Sequence, residues 1–388
     1  MIEISNKQKC CGCSACIQAC PTQCMSFNED EQGFCYPLVD KDRCIDCGLC
    51  EKVCPSLNQI EKRKPQSAYA AINPNEEIRM KSSSGGIFTM LADRIIKDGG
   101  VVFGARFNET WEVIHDFTET EEGLEPFRGS KYVQSRIGET YKQAKVFLDG
   151  NRKVLFTGTP CQIAGLKKYL RKEYDNLLTV DVVCHGVPSP LVWREYLKNR
   201  LPGITHISFR DKSTGWKKYS VVISGKTTMN SEEEFVHETY DKNIYMQVFL
   251  KNLCLRPSCH NCPAKSGKSG SDITIADYWG AESVQGIEND DKGISLVLAN
   301  CLKGDEILNM LHCRLIETSY EAALIGNPSL VESAKVGKYY DLFWNSFHGS
   351  GFDKIENLMK KYSGTLVGHV AKRIRSVISN TYHKLLKR

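Results

Sequence analysis

Two closely spaced runs of cysteine carry the clearest chemistry in this sequence. Each run has the pattern C-x2-C-x2-C-x3-C-P, and the two runs end at Pro21 and Pro55. This spacing is typical of 4Fe–4S clusters, in which three thiolates of a tight loop bind one cluster and the cysteine before the proline binds the other. The spacing therefore predicts a bacterial-type two-cluster ferredoxin domain over residues 1–57. The predicted ligands are Cys10, Cys13, Cys16 and Cys54 for one cluster, and Cys44, Cys47, Cys50 and Cys20 for its partner.

A zinc site and a set of disulfides are the alternatives for these cysteines. Zinc sites usually join two C-x2-C pairs across a longer gap, whereas each run here is compact and ends in Cys-Pro. The polar residues from Met1 to Lys9 lead directly into the first run, so we expect no secretory signal. Eighteen cysteines without an export signal indicate a reducing cytoplasm, and we expect an anaerobic source.

A third group of cysteines lies much later in the chain. Cys254, Cys259 and Cys262 follow one another closely, and Cys184, at the end of a predicted strand, is the candidate fourth ligand. A zinc site and a further 4Fe–4S cluster both fit three closely spaced cysteines. We predict a metal site here and favour a third 4Fe–4S cluster.

The elements that position these residues follow from the apolar pattern. After a polar, charged linker at residues 58–66, short apolar runs alternate with helical periods, which predicts a mixed α/β domain over residues 67–350. The apolar positions between 87 and 96 lie on one face of a helix. The overall class is α+β. Strands are predicted at 101–107, 112–117, 153–157, 177–183, 204–210, 219–224 and 272–276.

Two glycine-containing turns enter helices of the predicted α/β domain. Residues 82–86 (SSSGG) open the helix that begins near 87, and residues 158–162 (GTPCQ) follow a strand, with Thr159 as N-cap and Pro160 in the first turn. Such turns suit a phosphate group or the edge of a flavin, because backbone amides and small residues let a ligand approach. Plain capped turns are the alternative.

A basic segment around Trp216 also has two interpretations. Arg210, Lys212, Lys217 and Lys218 flank this tryptophan and would suit an anionic substrate. A solvated hairpin is the alternative that the charge pattern favours.

The positive charge of the chain is concentrated at its end. The net charge is +5, yet no acidic residue follows Glu356, and eight basic residues do, so the remainder is slightly acidic. The main body therefore does not indicate nucleic-acid binding. Residues 351–388 are predicted to form a basic amphipathic tail, which packs on its own domain or contacts an anionic membrane surface or a partner. No apolar stretch is long enough to predict a transmembrane helix.

Several motifs together resemble the beta-subunit family of coenzyme F-420 hydrogenases and dehydrogenases. The resemblance extends from residue 67 to about residue 350, and the motifs occur in the family's order. They are Ser83–Gly86, Gly129–Tyr132, Gly158–Leu166, Asp181–Ser189, Cys259–Cys262 and Ser271–Gly280.

The resemblance implies a flavoprotein that holds FAD beside an iron–sulfur cluster. It implies an oxidoreductase that passes electrons from its clusters through FAD to a two-electron acceptor, either deazaflavin-like or another small molecule. The alternative is an electron-transfer subunit that relays electrons to a partner enzyme. Lys131 and Tyr132 are candidates for donating a proton or for pairing with a flavin phosphate, and ordinary surface positions are the alternative for both. The residues implied for the flavin pocket are Ser84, Gly85, Gly86, Lys131, Thr159, Pro160, Cys161, Gln162, Asp277, Tyr278 and Trp279.

The same interpretation fixes the expected partners. A flavin accepts two electrons together and releases them singly, so it couples one-electron clusters to two-electron organic chemistry. We expect an electron donor such as ferredoxin or a partner reductase, a small-molecule acceptor and a homo-oligomer.

Overall fold

The computed structural model describes residues 1–198, 203–226 and 232–363. The chain forms two compact units, Met1–Val336 and a second that begins at Gly337. The predicted ferredoxin segment, the linker and most of the predicted α/β domain thus belong to one compact unit. The predicted boundaries at 57, 66 and 350 remain predictions.

Each segment that the apolar pattern predicted to be a strand contains a strand in the structure. The strands are β1 (Met25–Glu29), β2 (Cys35–Val39), β3 (Ser67–Ile72), β4 (Val101–Phe107), β5 (Val113–Thr118), β6 (Val154–Gly158), β7 (Leu177–Val182), β8 (Ile204–Asp211), β9 (Ser220–Lys226), β10 (Glu232–Thr239), β11 (Ile273–Asp277), β12 (Ser295–Ala299) and β13 (Arg314–Thr318).

The helices include the one predicted between 87 and 96, which extends to Lys97, and the one entered through Thr159 and Pro160. They are α1 (Ala15–Ala19), α2 (Leu49–Lys52), α3 (Glu76–Lys81), α4 (Ile87–Lys97), α5 (Thr140–Asp149), α6 (Pro160–Leu170), α7 (Pro190–Leu197), α8 (Ile244–Leu250), α9 (Leu302–Asn309), α10 (Tyr320–Gly326), α11 (Tyr340–Ser350) and α12 (Phe352–Ser363).

A mixed eight-stranded sheet forms the centre of the first unit, in the order β13-β3-β12-β11-β7-β6-β4-β5. The four strands β11, β7, β6 and β4 are parallel, and the outer strands pair antiparallel. Parallel strands place their carboxyl ends at one edge of a sheet, where open α/β sheets bind ligands. The motifs at Gly158, Cys184 and Asp277 all lie at or just beyond such ends. Two smaller antiparallel sheets, β1-β2 and β10-β9-β8, complete the unit.

The ferredoxin segment packs into the core of this large sheet. Side chains of a strand alternate between its faces, so Phe103 of β4 and Phe156 of β6 lie in one core cluster while Leu155 lies in the other. The cluster with Phe103 and Phe156 also contains Cys11 and Cys13 from the first cysteine loop. Burial of these loop residues beneath α5 and α6 makes the cysteine loop part of the α/β core.

The second unit contains α11 and α12. Phe343 and Phe347 of α11 and Ile355 of α12 are buried. The predicted basic tail, residues 351–388, includes α12, and its part from residue 364 onward lies outside the described residues. Within the part of the chain that the structure describes, no helix has the length and apolarity needed to cross a bilayer.

Gly165 provides a test of the packing between α6 and the cysteine loop. A Cβ at Gly165 would lie 2.8 Å from Cys13 Cβ and 2.9 Å from the Tyr141 hydroxyl, whereas one at Gly349 of α11 would meet only Lys354 Nζ at 3.9 Å. Alanine is favoured over glycine in helices by about 1 kcal/mol, but overpacking a core costs roughly 1–3 kcal/mol. We therefore expect Gly165→Ala to lower the thermal midpoint and Gly349→Ala to raise it slightly. An equal rise for both variants would contradict the close packing.

Candidate functional site

A cavity of about 690 Å³ lies at the carboxyl ends of the parallel strands. Its volume falls in the usual range for ligand pockets, roughly 300–1,000 Å³. The loops at 82–88, 127–133, 157–162, 182–188 and 275–279 all contribute to its walls. Of the residues predicted for the flavin pocket or for proton donation, the cavity is lined by Ser84, Gly86, Lys131, Tyr132, Thr159, Gln162, Asp277 and Trp279.

Four residues predicted for the same pocket do not line the cavity: Gly85, Pro160, Cys161 and Tyr278. Gly85 is pressed against the sheet, because a Cβ there would lie 2.3 Å from the Ala71 carbonyl oxygen. Tyr278 is directed away from its neighbours Asp277 and Trp279, as alternation along extended backbone requires. It is buried, and its hydroxyl lies 2.7 Å from Thr318 Oγ1. Pro160 and Cys161 form the first turn of α6, whose Gln162 reaches the cavity in their place.

A buried ion pair forms one wall of the cavity. Both Arg210 and its partner Asp277 line it, with Arg210 Nη1 donating to Asp277 Oδ2 at 2.7 Å and to the Tyr132 hydroxyl at 3.2 Å. The guanidinium lies 4.0 Å from the ring centroid of Tyr219 and 5.5 Å from that of Trp279. The solvated-hairpin interpretation is therefore wrong for Arg210, which is only 5% exposed because Asp277 and the rings compensate its charge.

Lys212 is also buried, beside the loop that opens α4. Its Nζ donates to the backbone carbonyls of Ser84 at 2.8 Å, Arg79 at 2.7 Å and Lys292 at 2.6 Å. Burial lowers the pKa of Lys212 to about 7. The Ser84 hydroxyl donates to the Ile294 carbonyl at 2.7 Å, which fixes the loop a second time.

Lys131 and Tyr132 lie together in the cavity wall. Lys131 Nζ donates to the carbonyls of Pro126 at 2.7 Å and Arg128 at 2.8 Å, and burial lowers its pKa to about 7. An amine with such a pKa exchanges a proton near neutral pH, which is what proton donation to a reacting group requires.

A hydrogen-bonded chain that the motifs did not indicate runs beneath Thr159. Gln162 Oε1 accepts from the Thr159 amide at 2.9 Å, and Gln162 Nε2 donates to Ser135 Oγ at 2.8 Å. His115 Nε2 lies 3.1 Å from the Thr157 carbonyl, which can only accept, so His115 Nδ1 accepts from the Ser135 hydroxyl at 3.0 Å. Burial lowers the pKa of His115 to about 4, so the ring is neutral. Its place on the inward face of β5 beside buried Val113 is the sequence signal for this histidine.

A small cavity in the ferredoxin segment is lined by one complete predicted ligand set. Its walls include Cys20, Cys44, Cys47 and Cys50, which we call the outer cysteine set, together with Cys24. Cys20 Sγ and Cys24 Sγ are 3.4 Å apart. Cys47 is exposed, so this set reaches the surface of the protein. Four thiols around one cavity fit the chemistry of a 4Fe–4S cluster.

The other predicted ligands, which we call the inner cysteine set, are Cys10, Cys13, Cys16 and Cys54. Burial raises the pKa of Cys16, and the neighbouring thiols of Cys10 and Cys54 raise it further. Cys13 and Cys16 interact in the same way. Thiols that are buried together and oppose one another's ionisation in this way are compensated when iron binds them as thiolates. The two sets are neighbours, because Cys16 also interacts with Cys50 of the outer set.

The third group of cysteines gathers at the interface between the ferredoxin segment and the large sheet. Burial raises the pKa of Cys259 to about 12, with contributions from Cys184 and Cys262. Cys161 interacts with Cys262 and with Cys11, which in turn contacts Cys13 of the inner set. We call Cys161, Cys184, Cys259 and Cys262 the third cysteine set.

Cys254 is not brought to this third set. Burial alone raises its pKa to about 12, its nearest bonds are to backbone amides, and its ionisable neighbour is Tyr245. The sequence suggested Cys254 because of its short spacing, but the backbone between it and Cys259 turns, so its thiol is directed into the core. Among residues 1–198, 203–226 and 232–363, no three Cys, His, Asp or Glu side chains converge closely enough to hold a single metal ion.

The fold and these cysteine sites define an iron–sulfur redox protein, in which a ferredoxin-type segment is built onto an α/β domain. Residues 9–58 match the 4Fe–4S dicluster domain, and residues 151–322 match the C terminus of the coenzyme F420 hydrogenase/dehydrogenase beta subunit. The chain therefore resembles this beta-subunit family over residues 151–322 and carries a 4Fe–4S dicluster domain at residues 9–58.

A relative and a solved structure are similar to parts of the chain. The coenzyme F420-dependent sulfite reductase of Methanocaldococcus jannaschii is 26% identical over 209 residues, which are 50% of this chain and 30% of that protein. The chain thus matches under a third of that relative's length. A chain of the F420-reducing [NiFe] hydrogenase complex from Methanosarcina barkeri is similar with a TM-score of 0.44 and 17% identity, covering 77% of this chain and 92% of that one.

The buried neutral His115 predicts a pH dependence of stability. The unfolded histidine binds a proton near pH 6.5 and the folded one only near pH 4, so the unfolded state binds more protons between these values. Stability is therefore lost as the pH falls through this window, by about 3 kcal/mol in total. We expect His115→Gln to flatten the fall in thermal midpoint between pH 7 and pH 4.5, and the exposed His312→Gln to retain it. Equal slopes for the two variants would contradict this account.

Proposed function

We propose that this protein is an iron–sulfur flavoprotein that passes electrons from its 4Fe–4S clusters through FAD to a two-electron organic acceptor. The observation that carries the proposal is the position of Cys184, which belongs to the third cysteine set and also lines the 690 Å³ cavity. A cluster held by that set would be adjacent to whatever occupies the cavity. FAD would supply the conversion between single electrons and hydride.

The residues of the cavity suit FAD and an acceptor together. The loop at Ser84 and Gly86 lines the cavity with small residues, which let a phosphate group or the edge of a flavin approach closely. Trp279 and Tyr219 provide aromatic faces at its wall, beside the Arg210–Asp277 ion pair. Lys131 is the candidate proton donor, because its lowered pKa of about 7 lets it lose and regain a proton near neutral pH.

The three cysteine sets provide a continuous route to this cavity. The outer set reaches the surface at Cys47, Cys16 of the inner set interacts with Cys50 of the outer set, and Cys11 joins Cys13 to Cys161. We propose that an external donor such as ferredoxin or a partner reductase delivers single electrons at the outer set, which then pass inward.

The acceptor is proposed by class only. The name of the Methanocaldococcus relative includes coenzyme F420 and sulfite, so a deazaflavin-like coenzyme and another small molecule are both candidates. An electron-transfer subunit serving a partner enzyme is the second candidate function, and the exposed Cys47 favours it by offering a surface site for exchange with another protein. Failure of the isolated chain to reduce any small molecule until a partner is added would support this second function.

Ala105 tests whether the cavity holds the flavin. This residue of β4 is half-buried and lines the cavity far from the cysteine sets in sequence. We expect Ala105→Trp to lower the amount of bound flavin per chain by at least about tenfold, because the indole fills space that the ligand needs. The iron content should be unchanged. Ala105→Ser, which adds one atom, is the matched control and should keep both. Full flavin content in Ala105→Trp would place the flavin elsewhere.

A further inference from the structure

Arg256 is a buried arginine that connects the segment around Cys254 and Cys259 to the first cysteine loop. It lies between Cys254 and Cys259 in the chain and is only 1% exposed. Its Nε donates to the Cys10 carbonyl at 2.8 Å, and its Nη1 donates to Gln134 Oε1 at 3.0 Å. Its Nη2 donates to the Cys35 carbonyl at 3.0 Å and lies 3.6 Å from Cys10 Sγ.

The ionisable side chains around this guanidinium are thiols and a phenol rather than carboxylates. No Asp or Glu among the residues that the structure describes forms an ion pair with Arg256. Its ionisable neighbours are Cys10 first, then Tyr36, Cys11 and Cys259, and its guanidinium carbon lies 4.4 Å from the ring centroid of Tyr36. A buried charge is costly unless a charge of opposite sign or a full set of hydrogen bonds compensates it. Thiolates that bind a cluster would be that opposite charge.

The first cysteine loop is shaped to admit this side chain. Gly12 has φ +71°, and a Cβ there would lie 2.9 Å from Arg256 Nη1 and 2.8 Å from Gln134 Nε2. Only glycine both adopts this backbone conformation easily and leaves room for the guanidinium.

The outer cysteine set has a different charge environment. The Met1 amino group, which lines the cavity of this set, forms ion pairs with Glu51 at 2.8 Å and Asp46 at 3.2 Å. Both acids are next to cysteines of the outer set in the sequence. Cys47 is exposed to solvent as well. The inner set therefore has a buried cation at one of its sulfurs, whereas the charges beside the outer set are more exposed and compensate one another.

We propose that Arg256 raises the reduction potential of the cluster held by the inner set above that of the outer cluster. Arg256 thus acts as a positioning residue: the higher potential keeps electrons on the inner cluster, which lies beside the large sheet. The proposal rests on the ferredoxin-type domain binding both clusters.

The physical basis is the charge of the reduced cluster. A one-electron donor adds one electron to the outer cluster, and transfer oxidises that cluster by one electron while it reduces the inner cluster by one. The reduced inner cluster carries one more negative charge, which a nearby cation and a hydrogen bond to a ligand sulfur stabilise. A charge-assisted hydrogen bond is stronger than a neutral one. We expect its loss to change the distribution of electrons between the clusters by about tenfold, which is 59 mV for a one-electron couple.

The test is an anaerobic redox titration of the full chain, followed by electron paramagnetic resonance, with iron determined on each sample. We expect Arg256→Gln to lower the reduction potential of one ferredoxin-type cluster and to leave that of the other unchanged. The distribution of electrons between the two clusters should then change by about tenfold. Arg256→Lys keeps the charge but loses the planar fork of donors, so the same cluster should shift by less. Arg314→Gln, which removes an exposed charge from β13, is the matched control and should shift neither cluster.

Each outcome decides the proposal. If Arg256→Gln loses iron, Arg256→Lys with full iron must still show a lowered potential for one cluster. Unchanged potentials in Arg256→Gln at full iron content, or an equal shift of both clusters, would overturn the proposal. The measurement does not involve flavin, so a chain with two clusters and no flavin would contradict the proposed function and leave this test intact.

Discussion

The packing of the first cysteine loop into the core of the α/β sheet is the constraint on which the rest of the structure depends. Gly165 lets α6 approach Cys13, and Cys11 and Cys13 share a core cluster with Phe103 and Phe156. Because the loop is buried there, its thiols are close to Cys161 at the start of α6. The same helix starts at the carboxyl edge of the sheet, where the cavity lies. One packing contact therefore brings the cysteine sites and the cavity together in a single unit.

The sequence predicted what depends on local spacing. The ferredoxin-type runs, the strands that end at Gly158 and shortly before Cys184, and the turn at Thr159 all depend on residues close together in the chain, where ligand geometry and side-chain alternation act directly. The capped entry to α6 formed as expected because Pro160 and Gln162 suit its first turn.

The features that the sequence did not predict depend on contacts distant in the chain. Arg210 appeared solvated because its partner Asp277 is far away in sequence, and Arg256 bonds to Cys10 across most of the chain. Cys254 has short spacing to Cys259, but the turn between them separates the thiols. Tyr278 was grouped with Asp277 and Trp279, although alternation directs it to the opposite side. Spacing in the sequence indicates which residue types form a site, and only tertiary packing decides which residues belong to it.

The central claim is that one chain joins iron–sulfur clusters to a flavin in the cavity. The most direct test is the amount of iron and of released flavin per chain, in protein purified without oxygen. About twelve irons with one flavin would agree with two ferredoxin clusters, a third cluster and a bound flavin. About eight irons with no flavin would contradict the claim and leave a ferredoxin-type domain attached to a cavity of another use.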